Sequence, residues 1–196
     1  MLDSLRSRLN EYFLAVGRAF GATGLPPTAW TFVGLIFSFA AAGAYWSSGY
    51  VGELVGGLLL LLSGFFDVVD GAVARATSRV SKRGAFMDST LDRVAEVAVF
   101  AGIMLGRLAT PPAVLLALSL SLLVSYTRAK ADSLGISLSG VGVGERSERL
   151  LALSVFSIVG LASYGVLVVL VLAGLTFLER VSKVSRALTG SAQAPS

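Results

Sequence analysis

The chain has 196 residues, of which 55% are hydrophobic and only 14% charged, with a mean hydropathy of +0.79; this excludes an ordinary soluble domain and predicts an all-α integral membrane protein. Cysteine and histidine are both absent, which removes disulfides, thiolate metal sites, cysteine nucleophiles and imidazole acid–base chemistry together, so any metal must be held by oxygen. The net charge of +4 favours anionic lipids and anionic substrates, and because the basic residues are scattered rather than gathered in a soluble module, no nucleic-acid partner is expected.

The length suffices for about six spans of roughly 20 residues with short connections. Residues 4–20 place Leu5, Leu9, Tyr12, Phe13, Val16 and Phe20 at helical spacing among charges, which predicts a juxtamembrane amphipathic helix lying at the interface. It carries charges throughout and no small-residue cleavage site, so no cleaved signal peptide is expected. A first span is predicted over residues 28–46, ending in the aromatic residues Tyr45, Trp46 and Tyr50, which suit the headgroup region. The second begins near Val51 and continues through the aspartates to Thr77; the third runs from Gly84 to about Arg107, beyond a short basic loop. Pro111 and Pro112 open a fourth that ends near Asp132, and a Gly/Ser-rich loop over 134–144 follows. Residues 146–163 and 166–187 give the fifth and sixth, with a turn expected at Tyr164-Gly165. One membrane domain over 1–188 and a disordered tail over 189–196 complete the expected organisation. With six spans, all basic loops except Arg107 fall on one side, so the positive-inside rule puts both termini, and the aspartates with them, on the cytoplasmic face of the cell membrane.

Those aspartates carry the functional signal. They read Asp67-x-x-Asp70-Gly71-x-x-Ala74-Arg75, then, after a short gap, Gly84-x-x-x-Asp88-x-x-x-Asp92. On a helix, Asp67 and Asp70 share a face with the small residues Gly71 and Ala74, and Gly84, Asp88 and Asp92 descend one stripe. If the two helices are antiparallel neighbours, four carboxylates converge and repel by several kcal/mol even at an effective dielectric of about 20. Divalent cations resolve this, and oxygen-only ligands favour Mg²⁺, Mn²⁺ or Ca²⁺, with Mg²⁺ commonly bridging carboxylates to substrate phosphates. The small residues leave room for a nucleotide head beside the metal.

This pattern resembles, without a departure, the signature of the CDP-alcohol phosphotransferases. The resemblance implies a six-helix membrane enzyme, commonly a homodimer, that uses Mg²⁺ or Mn²⁺ to displace CMP from a CDP-lipid (CDP-diacylglycerol or CDP-archaeol) with an alcohol. It implies metal ligation by Asp67, Asp70 and Asp88, a base in Asp92 that also approaches the metal, and CDP-lipid contacts from Gly71, Ala74, Arg75 and Gly84 together with Asp67 and Asp70. The family's upstream Pro-Asn or Pro-Asp element stands here as Pro27-Thr28-Ala29-Trp30-Thr31; Thr28 departs from it, while Pro27 and Thr31 keep an implied cytidine role. Attack at a pyrophosphate phosphorus needs its charge neutralised, which two metals about 3.5–4 Å apart can supply, and a base near the attacking hydroxyl, which without histidine must be a carboxylate.

The acceptor is written elsewhere. Ser125-Tyr126-Thr127-Arg128 and Gly144-Glu145-Arg146 put cations at two helix ends on the catalytic side, and Arg128 with Arg146 could clamp a phosphate. These segments resemble the phosphatidylinositol-phosphate and archaetidylinositol-phosphate synthase branch, whose acceptor is inositol phosphate, and the branch's further arginine corresponds to Arg180. A phosphatidylglycerophosphate synthase using glycerol 3-phosphate is the alternative within the class. Outside it stands a divalent-cation transporter, which would leave Gly71, Ala74 and Arg75 without a role.

Overall fold

A computed structural model describes residues 14–191, and every regular element among them is a helix. The amphipathic segment therefore falls largely outside the described residues. Its visible part, residues 14–21 (α1), docks on the protein: a Cβ on Gly17 would strike the backbone of Ala72, and Phe20 meets Trp30 edge-on at 4.9 Å. Six longer helices follow, α2 (Pro27–Trp46), α3 (Gly49–Ala76), α4 (Lys82–Leu105), α5 (Pro111–Ser133), α6 (Arg146–Ile158) and α7 (Ala162–Ser191). Proline at the first positions of α2 and α5 suits a helix start, where its missing N–H costs nothing. The last helix continues to Ser191, so the first residues of the expected tail are helical; 192–196 lie outside the described residues.

Of these helices, α2, α3, α5 and α7 are long and apolar enough to cross a membrane. Apolar side chains also cover the outside, with Ile36, Leu115 and Leu178 each more than 60% exposed, as lipid-facing surfaces require. The chain is thus a multi-pass membrane protein. Charge interrupts the first half of α4, and α6, with 13 residues, is only about 20 Å long at 1.5 Å per residue. The fifth segment ends earlier than expected because Gly160, at φ +75°, closes α6: the Leu161 N–H donates to Phe156 O at 2.8 Å and the Gly160 N–H to Ser157 O at 3.0 Å, a Schellman cap. The anticipated turn residue Gly165 lies inside α7, against Phe156 and Leu153 of α6.

Helix α2 is the centre of the site-bearing half, packed on both α3 and α4, while α3 and α4 scarcely touch each other. The contact is closest at one end. Added Cβ atoms on Gly52 and Gly56 of α3 would meet Ala44 O and the Tyr45 ring at 2.6 Å, and Gly102 and Gly106 press on the backbone of Ala42 and Tyr45. Tyr45 is fully buried there, its hydroxyl 3.0 Å from Ser157 Oγ. Both small-residue stripes thus pack within one subunit. Toward the opposite end α2 stays against α3, with Gly34 facing Ser63 O, while cavities open beside the two helices, and α7, held against α5 and α6, completes the wall around the opening.

Candidate active site

The open end gathers the first turns of α2, α4 and α6, the last turns of α3 and α5, and α7 at Arg180, about three turns before that helix ends. Asp67, Asp70 and Asp88 each bring a carboxylate oxygen within 4.8 Å of the others. They converge across the gap between α3 and α4 rather than along a direct helix contact, which corrects the expected packing and leaves space for a ligand. Asp70 is 7% exposed and accepts a hydrogen bond of 2.6 Å from Thr31 Oγ1 of α2. Asp88 Oδ1 is buried with no hydrogen-bond partner among the described residues. An all-oxygen donor set with an unspent buried carboxylate oxygen fits a hard divalent cation such as Mg²⁺ or Mn²⁺.

Asp92 stands beside this trio. Its Oδ1 lies 3.0 Å from Arg146 Nη1 and its Oδ2 3.3 Å from Arg93 Nη1, and the same Arg146 nitrogen reaches Asp67 Oδ2 at 3.1 Å. Arg146 therefore bridges the expected base and one carboxylate of the acidic trio, where the sequence suggested only an acceptor clamp.

Two cavities open from the carboxylates. One, of about 370 Å³, is lined by Pro27, Thr31, Ala74, Arg75 and Gly84. Every residue expected to contact the CDP-lipid lines it except Asp67, which faces the other cavity. A Cβ on Gly71 would sit 3.3 Å from Arg75 Nη1 and displace that guanidinium slightly. Arg79, which sequence reasoning passed over as loop charge, lines the same cavity. It is presented by a Schellman cap on α3, with the Arg79 N–H donating to Ala74 O at 3.0 Å and Ser78 at φ +54°, while Ser81 Oγ accepts from Gly84 N at 3.0 Å to start α4. The second cavity, of about 620 Å³, is lined by Asp67, Asp92, Arg128, Arg146, Arg149 and Arg180. Asp70, Gly71, Ala85 and Asp88 line both.

The three acceptor candidates differ in freedom. Arg128 is exposed and Arg146 is held by the aspartates. Arg180, 3% exposed, spends Nε on Val141 O at 3.0 Å and Nη1 on Val124 O at 2.9 Å, leaving Nη2 3.8 Å from Glu145. The stripe Gly84, Asp88, Asp92 also continues one turn further to Glu96, which is buried against Arg149; the four-residue period was the available signal for it.

Comparison with known proteins gives the family and the fold. The family described as CDP-alcohol phosphatidyltransferase matches residues 24–185. The archaetidylinositol phosphate synthase of Pyrococcus horikoshii is 31% identical over 188 residues, 96% of this chain and 98% of the relative. The phosphatidylinositol phosphate synthase of Streptomyces avermitilis is 36% identical over 176 residues, 82% and 71% of the two chains. Among solved structures, the phosphatidylinositol phosphate synthase of Mycobacterium tuberculosis with CDP-DAG bound aligns at a TM-score of 0.75 and 26% identity, over 88% of this chain and 92% of that one. The same mycobacterial enzyme in complex with manganese and citrate gives a TM-score of 0.75 at 27% identity, over 88% of each chain.

Proposed function

The chain belongs to the CDP-alcohol phosphatidyltransferase family, and we propose that it transfers the phosphatidyl-type group of a CDP-lipid to inositol phosphate, releasing CMP in phospholipid biosynthesis. The observation that carries this reading is the pair of cavities that share Asp70 and Asp88, one lined by the nucleotide-type residues and the other by five arginines, Arg93, Arg128, Arg146, Arg149 and Arg180. A donor diphosphate and a phosphorylated acceptor then meet across the carboxylates.

In the reaction, the acceptor hydroxyl forms a bond to the lipid-side phosphorus while the bridging P–O bond to CMP breaks, CMP leaving with that electron pair. Asp92 takes the hydroxyl proton. Arg146, touching both Asp92 and Asp67, fixes the spacing between the proton acceptor and the donor phosphate and offers its remaining N–H groups to the acceptor cavity. Arg128 and Arg180 flank the acceptor's own phosphate. Divalent cations held by Asp67, Asp70 and Asp88 supply charge neutralisation at the diphosphate oxygens when bound. Thr31 holds Asp70, and its position in the donor cavity lets it reach the cytidine as well. Arg75 and Arg79 add positive charge around the diphosphate.

The membrane frame follows the same reading. Helices α4 and α6 complete a six-helix bundle, with both termini and the catalytic end facing the cytoplasm by the positive-inside rule, residues 1–188 acting as one domain and the protein working as a homodimer. Either acyl or isoprenoid tails would serve as the donor's lipid. The test is CMP release by the purified protein with inositol phosphate, inositol, glycerol 3-phosphate and serine in turn. Turnover with inositol phosphate is expected; turnover with glycerol 3-phosphate and none with inositol phosphate would overturn the assignment.

A further inference from the structure

One helical turn deeper than Asp92, Arg146 and Arg180 lies a second polar layer, of which Arg149 also lines the acceptor cavity. From Asp92 to Glu96 on α4, from Arg146 to Arg149 on α6 and from Arg180 to Thr176 on α7 the step is three or four residues, so each deeper residue lies below its partner on the same helix face. Glu96 and Arg149 are 2% and 1% exposed and form an ion pair at 3.1 Å. Arg149 Nη1 donates to Gly144 O at 2.7 Å. The Gly144 N–H donates to Thr176 Oγ1 at 2.9 Å, and a Cβ on Gly144 would stand only 2.8 Å from Leu172. Gly144 is thus held from α4 through Arg149, and from α7 directly. It immediately precedes Glu145 and Arg146, where α6 begins.

We propose that Glu96, Arg149 and Thr176 are positioning residues: by gripping Gly144 they set the start of α6, and so place Arg146 relative to Asp92 and Arg180 for the acceptor's phosphate. This rests on the acceptor reading given above. A purely stabilising role accounts poorly for the arrangement, because Glu96 Oε2 and Arg149 Nε are buried without partners among the described residues, and apolar packing commonly serves stability as well as a buried ion pair does. The tier instead joins the helices whose upper residues surround the cavity. Its geometry would be lost if the pair were replaced by apolar side chains of similar volume, while the fold would not.

The test is the paired variant Glu96→Leu/Arg149→Met, which leaves no buried charge unpaired. Its thermal unfolding in detergent should match or exceed the parent's, and its KM for the CDP-lipid should stay unchanged. Its KM for inositol phosphate should rise about tenfold or more, and inositol phosphate should no longer protect it from unfolding at a concentration that protects the parent. A folded variant with the parent's acceptor KM would overturn the proposal, as would equal rises in both KM values. Because Arg149 also lines the acceptor cavity, Thr176→Val, which leaves that lining intact and removes only the acceptor of the Gly144 N–H, separates positioning from direct contact: a selective rise in acceptor KM is expected, and an unchanged value overturns the idea. Absence of turnover with inositol phosphate in the parent itself would instead defeat the acceptor reading.

Discussion

Replacing Thr31 by valine keeps shape and volume but removes the 2.6 Å hydrogen bond from Oγ1 to Asp70 Oδ2. Thr31 and Asp70 are 8% and 7% exposed, so bulk water will not readily replace the lost donor. A hydrogen bond to a charged group is worth about 1.5–3 kcal/mol, and loss of a partner that orients a metal ligand commonly costs about 10–100-fold in metal affinity or activity; at about 1.4 kcal/mol per tenfold the two ranges coincide. Thr31→Val should therefore raise the metal concentration giving half-maximal CMP release by about 10-fold or more. Thr31→Ser, which retains the hydroxyl, should recover most of the loss. The assay is CMP release against Mn²⁺ or Mg²⁺ concentration at saturating substrates, with direct Mn²⁺ binding measured alongside. An unchanged metal dependence with a raised KM for the CDP-lipid would refute this reasoning and return Thr31 to a nucleotide contact alone.

Asp92→Asn should abolish turnover while leaving CDP-lipid binding in place; retained turnover would remove Asp92 as the base. Arg146→Ala should lower kcat and raise the acceptor KM together, because Arg146 touches both Asp67 and Asp92, whereas an effect on KM alone would restrict it to a phosphate clamp. Arg79→Ala should raise the KM for the CDP-lipid and weaken inhibition by CMP more than by cytidine, and equal effects on the two inhibitors would exclude a phosphate contact. Ser78→Gly relieves a left-handed residue at φ +54° and should stabilise the protein by roughly 1 kcal/mol, read as a higher unfolding temperature with unchanged kinetics.

The carboxylate site was legible because its chemistry demands fixed steps of three and four residues, and those steps survive as plain spacing between Asp67 and Asp70 and between Asp88 and Asp92. Membrane character was equally legible from composition. What spacing could not convey was distance between helices. The gap between α3 and α4 depends on α2 lying against both, and the capture of Arg180 by the Val124 and Val141 carbonyls joins parts of the chain far apart in sequence. The end of α6 was misplaced because Gly160 and Gly165 are rival punctuation marks, and only the former adopts the left-handed conformation. Glu96 lay on a visible stripe but beyond the last residue of the recognised motif.

The glycines that pinch α3 and α4 onto α2 lie far from any reacting group, yet they act as a fulcrum. Ten residues separate Gly102 from Asp92, roughly 15 Å along α4 at 1.5 Å per residue, so a tilt of about 5° at the pinch would sweep the carboxylate through about 1.3 Å. Displacements of about 1 Å can cost a reaction 100-fold. A methyl group added at Gly102 or Gly106 would act through that leverage, mis-spacing the carboxylates from the other end of the bundle. The chemically blank end of the protein thereby sets the gauge of its active end.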